Sequence, residues 1–161
     1  MLIILFGLAG SGKNYIGKLI EKSIPNYYFW DADQVLPIEM QECIHQKKIF
    51  TQEMRDNFTK IMISEVKLLQ RKHPDLVISQ ALYKEENRNQ ILKAFPDAVF
   101  IHIQAQPNMI LQRLRARGDE INESYAEKMA IHFEQPSLPH SILINDKDKN
   151  ILDQFELIIK S

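Results

Sequence analysis

The chain holds one cysteine and only five glycines among its 161 residues. Cys43 has no partner for an internal disulfide, so no disulfide framework holds this fold together, and the usage suits a reducing compartment. The five histidines are scattered. Only His132 and His140 lie close, with no cysteine beside either, and no zinc-type ligand spacing results. Charge of one sign is lacking too: a formal net charge of -1 offers no general attraction for nucleic acid or an anionic membrane. No apolar run approaches the roughly 20 residues of a membrane span. The apolar start has no basic flank and runs into Gly-Ser-Gly-Lys rather than a small-residue cleavage site, so no secretory signal is expected. These absences describe a cytoplasmic protein with neither nucleic acid nor membrane as partner.

What is present is ordinary in bulk. A composition 45% hydrophobic and 25% charged, over this length, is that of one domain with a real core. No repeat or linker divides it, and a single domain over 1–161 is expected. Strand-like runs rich in Val, Ile, Phe and Tyr fall at 2–7, 27–30, 76–79, 98–103 and 141–144. Between them lie stretches with helical spacing. In "TQEMRDNFTKIMISEVKLLQRK", Met54, Phe58, Ile61, Met62, Glu65 and Leu69 step by three or four, Thr51 is placed as an N-cap, and Arg71-Lys72 close the end. Strands alternating with helices imply an α/β fold, a parallel sheet covered on both faces.

Four of the five glycines crowd into "GLAGSGKNYIG", directly after the first strand-like run. The spacing Gly-x-x-x-x-Gly-Lys is that of a phosphate-cradling P-loop, in which successive backbone N–H groups and a helix N-terminus face an anion. Such a spacing arises by chance in about one chain of this length in twenty, so its place between a buried strand and an amphipathic helix matters. Gly7, Ala9, Gly10, Ser11, Gly12, Lys13 and Asn14 are the candidate nucleotide-binding residues, with Lys13 reaching the β- and γ-phosphates. Asn14 stands where Ser or Thr would present a hydroxyl to Mg²⁺. Three outcomes are open there: direct ligation, ligation through water, or none.

"YYFWDADQVLP" closes the second strand with Asp31 and Asp33, which alternation would set on one side. Ligands in open α/β sheets sit at the carboxyl ends of strands. One acid can hold the magnesium shell while the other orients and deprotonates an acceptor hydroxyl. A strand-end turn with a helix cap is the plainer alternative.

With these motifs in order, the chain resembles small-molecule P-loop kinases, gluconokinase most closely and shikimate kinase next. The segments that carry it are "GLAGSGKN", "DAD" with Pro37, "ISQALYKEENR", "FIHIQAQPNMILQRLRAR" and "HFEQP". The resemblance implies a three-layer P-loop NTPase fold, a five-stranded parallel sheet ordered 2-3-1-4-5 with helices on both faces and a small lid near 114–124. It implies ATP and Mg²⁺ and assigns Asn14 and Asp31 to the metal and Asp33 to the substrate hydroxyl. Arg55 would face the acceptor, and Arg113 and Arg117 would reach phosphates as the lid closes; a solvated basic helix end is the alternative for both. The implied activity is transfer of the ATP γ-phosphate to a hydroxyl of a small metabolite, by a monomer or homodimer. A nucleoside or nucleotide kinase, or a non-catalytic ATP-binding regulatory protein, are the alternatives. The departures lie on the acceptor side: Leu36 replaces a family His, Asn57-Phe58 replaces Pro-Trp, and "RARGDEI" lacks the lid's Gly-His-Phe. Neither gluconate nor shikimate is therefore the expected acceptor.

Overall fold

Five residues of the first strand, β1 (Leu2–Phe6), are buried on both faces, and the fold is built outward from them. The computed structural model describes residues 1–118 and 121–161. After β1 come α1 (Lys13–Ser23), β2 (Tyr27–Asp31), a short 3-10 turn (Ala32–Val35), α2 (Ile38–His45) and α3 (Gln52–Lys72). Then follow β3 (Asp75–Ser79), α4 (Glu85–Ala94), β4 (Val99–Gln104), α5 (Pro107–Arg117), α6 (Glu123–Ala130), β5 (Ser141–Ile144) and α7 (Ile151–Lys160). The sheet is parallel throughout in the order β2-β3-β1-β4-β5, with Ile4 beside Ile78 and Leu5 beside Ile101. That is the order implied by the family resemblance.

Alternation along β1 sorts the core into two layers. Leu2, Ile4 and Phe6 face Phe58, Met62 and Val66 of α3 and Ile91 of α4. Ile3 and Leu5 face Ile16 and Ile20 of α1 and Phe155 of α7. Gly17 lets α1 approach β2 closely: a Cβ there would overlap the Phe29 ring. On α3, Thr51 caps as expected, its hydroxyl accepting from the Met54 N–H at 3.2 Å. The buried arc differs by one residue face: Val66 is inside, whereas Ile61 is 39% exposed. A third, smaller cluster of Tyr83, Tyr125 and Met129 adjoins the first layer through Phe50 and Phe133 and joins α6 to the loop after β3.

Candidate active site

The loop between β1 and α1 turns on positive φ angles at Gly7 (146°), Gly10 (83°) and Gly12 (95°). At Gly12 the conformation is forced by proximity as well, since a Cβ would overlap the Asn145 side-chain amide. Asn145, just past β5, donates from Nδ2 to the Ser11 carbonyl at 2.8 Å. Arg113 on α5 donates from Nη1 to the Gly10 and Ser11 carbonyls (3.3 and 3.2 Å) and from Nη2 to the Asn145 carbonyl (2.9 Å). Both amino groups of Arg113 are thereby engaged with main chain. In this arrangement it holds the loop in shape while also lining the cavity beside Gly10, Gly12 and Lys13. Asn145 gave no signal in the sequence; 133 residues separate it from Gly12, and only the meeting of β5 with the loop pairs them.

Lys13 opens α1 and folds back, donating from Nζ to the Gly7 and Leu8 carbonyls, both at 2.9 Å. Burial lowers its pKa to about 8, with Asp33 pulling the other way. Asn14 is fixed at both ends of its amide: Nδ2 donates to Asp31 Oδ2 and Oδ1 accepts from Ser79 Oγ, each at 2.6 Å. Its oxygen already accepts from one hydroxyl, which leaves a single lone pair for a metal ion or for a water bound to one. Asp31 fits, because Mg²⁺ commonly takes one or two carboxylates together with substrate phosphates and water. Among the described residues no cluster of three or more His, Cys, Asp or Glu forms a metal cage.

The two acids share the site for a reason other than strand alternation. Asp31 caps the 3-10 turn, Oδ1 accepting from the Asp33 N–H at 3.0 Å, and the turn swings Asp33 over the strand ends. Asp33 Oδ1 accepts from Gln80 Nε2 at 2.8 Å. Although solvent reaches Asp33, the surrounding protein raises its pKa, the Gln80 bond opposing and Asp31 adding to the rise. A carboxylate so raised is a better proton acceptor.

One cavity of about 470 Å³ joins these groups to the acceptor side. Ala9, Gly10, Gly12, Lys13 and Asn14 line one end with Asp31 and Asp33, while Gly7 and Ser11 of the same loop do not line it. The Ser11 hydroxyl is buried with no hydrogen-bond partner among the described residues. Arg117 also lines the cavity, and its charge acts on both Lys13 and Asp33. Arg115 faces away, bridged to Glu123 at 2.7 Å. Arg55 lies at the far end, 7% exposed, its carbon 5.4 Å from the ring centroids of both Phe50 and Tyr83. Its Nη2 is buried without a hydrogen-bond partner among the described residues, and burial lowers its pKa. Helix α6 roofs this end: the Tyr125 hydroxyl donates to the Lys48 carbonyl and Lys128 Nζ to the Lys47 carbonyl, each at 2.8 Å. The lid expected near 114–124 includes Asp119 and Glu120, which lie outside the described residues.

Two motifs that looked separate in the sequence form one clamp. Arg88, fully buried, donates to the Leu82 carbonyl (2.8 Å), the Glu134 carbonyl (2.7 Å) and Glu85 Oε2 (2.7 Å). In return Glu134 Oε2 accepts from the Glu85 N–H at 2.8 Å, capping α4. This ties the loop carrying Gln80 and Tyr83 to the chain leaving α6. Tyr83, Ser79 and Gln80 were missed as site residues, although their place at or just past the carboxyl end of β3 was the available signal.

The sheet order, the glycine loop feeding α1 and the acids ending β2 define a phosphate-binding P-loop domain. The profile of the AAA_18 family, described as an AAA domain, matches residues 3–132, and the chain belongs to that family. It is 25% identical over 171 residues to a probable gluconokinase of Xenopus tropicalis, covering 94% of this chain and 87% of that protein. A shikimate kinase of Thermodesulfovibrio yellowstonii is 29% identical over 115 residues, covering 70% of this chain and 63% of its own. Among solved structures, a sugar kinase from Janibacter sp. HTCC2649 superimposes with a TM-score of 0.80 at 18% identity, over 99% of this chain and 92% of that one. That last likeness speaks for the fold. Together they make this a P-loop kinase domain of the gluconokinase and shikimate kinase type.

Proposed function

We propose that this chain transfers the γ-phosphate of ATP to a hydroxyl of a small metabolite in the cytoplasm. The observation that carries the reading is the shared cavity, in which Lys13 and Asp33 face a common space that continues to Arg55. The loop N–H groups and Lys13 would hold the nucleotide phosphates; Asp33 would orient the acceptor hydroxyl and accept its proton. Magnesium, held by Asp31 with the phosphates, would supply charge neutralisation of the transferring group. Arg117 adds positive charge on the same side, and α6 keeps water from the acceptor end. The test is magnesium-dependent ATP consumption against a panel of hydroxylated acceptors, wild type beside Lys13→Ala. Acceptor-dependent consumption lost in Lys13→Ala supports the reading; ATP binding without consumption across the panel counts against it.

A second reading is favoured by Asn14 alone. With its amide oxygen taken by Ser79, the metal position is weakened, which suits a protein that binds ATP without turnover. The same measurement separates the two.

A further inference from the structure

The hydrogen bond that holds the Asp33 side chain comes from Gln80, whose own amide is fixed at both ends. Gln80 Oε1 accepts from the Ala81 N–H at 2.7 Å, and Nε2 donates to Asp33 Oδ1 at 2.8 Å. A backbone N–H only donates and an ionised carboxylate only accepts, so the two contacts independently turn the amide the same way. The Gln80 main chain is anchored as well: its N–H donates to the Leu5 carbonyl at 3.1 Å, on the strand that runs into the phosphate loop. The Asp33 main chain is held from the other side, its N–H donating to Asp31 Oδ1 at 3.0 Å. Asp33 Oδ1 is thus engaged by Gln80, and among the described residues no hydrogen bond is made to Oδ2. Gln80, Asp33 and Lys13 all line the one cavity.

Resting on the kinase reading above, we infer that Gln80 is a positioning residue: it holds Oδ1 of Asp33 so that Oδ2 is the oxygen presented to the acceptor hydroxyl. The 3-10 turn fixes the main chain of Asp33 but leaves its side-chain torsions open. A carboxylate free to turn in a cavity shared with Lys13 would pair with the ammonium, and the oxygen the acceptor needs would go to the cation. A neutral amide orients the acid without cancelling its charge. The sheet order explains why this side chain is the one placed to do so. β3 lies between β1, which leads into the loop, and β2, which ends at the acids, so a residue just past β3 sets one against the other. The requirement is strict, because misplacing a reacting group by about 1 Å costs on the order of 10²-fold in rate.

A double-mutant cycle on the whole chain tests this, with Gln80→Met and Asp33→Asn made singly and together. The readouts are kcat and KM with an acceptor that supports turnover, and ATP affinity by calorimetry. Where the acceptor panel gives no turnover, magnesium-dependent hydrolysis is measured instead, with water as the acceptor. Gln80→Met should lower kcat by about ten- to a hundredfold while ATP affinity stays within a few-fold. In the Asp33→Asn background the same substitution should cost less than about twofold more, because the group it acts through is already gone. Gln80→Glu keeps the length and the Ala81 contact but loses the donor, so it should behave as Gln80→Met does. Its own cycle with Asp33→Asn decides if Gln80→Met fails to fold. Equal losses with and without Asp33, a fall in ATP affinity that parallels kcat, or undiminished kcat overturns the inference and leaves the kinase reading intact. A wild-type chain that binds ATP and neither transfers nor hydrolyses it overturns the kinase reading itself, and the inference with it.

Discussion

Asn14, on the first turn of α1, donates from Nδ2 to Oδ2 of Asp31 at the end of β2, 2.6 Å away. This contact joins the phosphate loop to the acid pair through a side chain at the position where the loop pattern carries a hydroxyl. An ionised carboxylate only accepts, so it sets the amide's orientation and turns the oxygen toward Ser79. Replacing Asn14 with Ser should therefore release Asp31 and put a compact oxygen in its place. Nucleotide binding should persist, magnesium affinity should rise, and stability should fall by less than about 1 kcal/mol, since the contact is exposed. Magnesium titration and thermal melting of Asn14→Ser check this. Loss of both nucleotide and magnesium binding would give Asn14 some other role.

Lys13 carries a pH signature. Its pKa is lowered from 10.5 to about 8 in the folded chain, so between those values the unfolded chain binds more protons. Stability should rise with pH across that window, while below pH about 8 the cost of the buried charge is fully present and constant. Lys13→Met should flatten the rise. ATP phosphates beside Nζ should raise the pKa again, so ATP binding near pH 8.5 should take up a proton. Titrations in buffers of differing ionisation enthalpy read that uptake directly.

His102 acts at the acid end. Burial lowers its pKa from 6.5 to about 4, with His140 and Arg88 adding to the effect. The neutral ring stacks between Phe6 (4.9 Å) and Phe133 (5.4 Å). Its contribution to stability is complete above pH 6.5 and is lost as pH falls through about 4, a change on the order of 3 kcal/mol. Melting of His102→Phe from pH 7 to pH 4 should show a shallower decline than wild type.

The two arginines four residues apart on α5 should separate. Arg113→Ala removes the contacts to Gly10, Ser11 and Asn145, so it should lower the melting temperature and weaken ATP binding. Arg117→Ala should leave ATP binding less affected and lower turnover on the order of 10²-fold, as loss of one group stabilising developing charge does. Matching effects in the two variants would remove the distinction.

Much of this was legible in the sequence because the relevant signals are local. Each strand run declares itself by composition between turn residues, and Thr51 marks its own helix start. The glycine loop is one continuous segment, and so is the Asp31–Asp33 pair. What stayed hidden joins distant segments. Arg113 and Asn145 reach the loop from α5 and the end of β5, and Arg88 clamps the chain at Glu134. The apolar acceptor end is assembled from α2, α3, the β3–α4 loop and α6, none of which looks unusual alone. Asp33 was found by an argument that fails in detail, because a 3-10 turn replaces the extended chain after Asp31. The sheet order came from the family resemblance; periodicity alone implies a parallel sheet without ordering it.

Asp33 tests the account most directly, because it is where binding and chemistry part. Asp33→Asn keeps the size and the contact with Gln80 within reach while removing the charge and the proton acceptor. The measurement is steady-state phosphate transfer to an acceptor that supports turnover, with ATP affinity determined on the same samples. Turnover should fall about 10²- to 10⁴-fold, toward the low end if the transition state is loose, while ATP affinity stays within a few-fold. An Asp33→Asn protein with undiminished turnover would contradict the assignment of this carboxylate to the acceptor hydroxyl, and with it the proposed chemistry of the site.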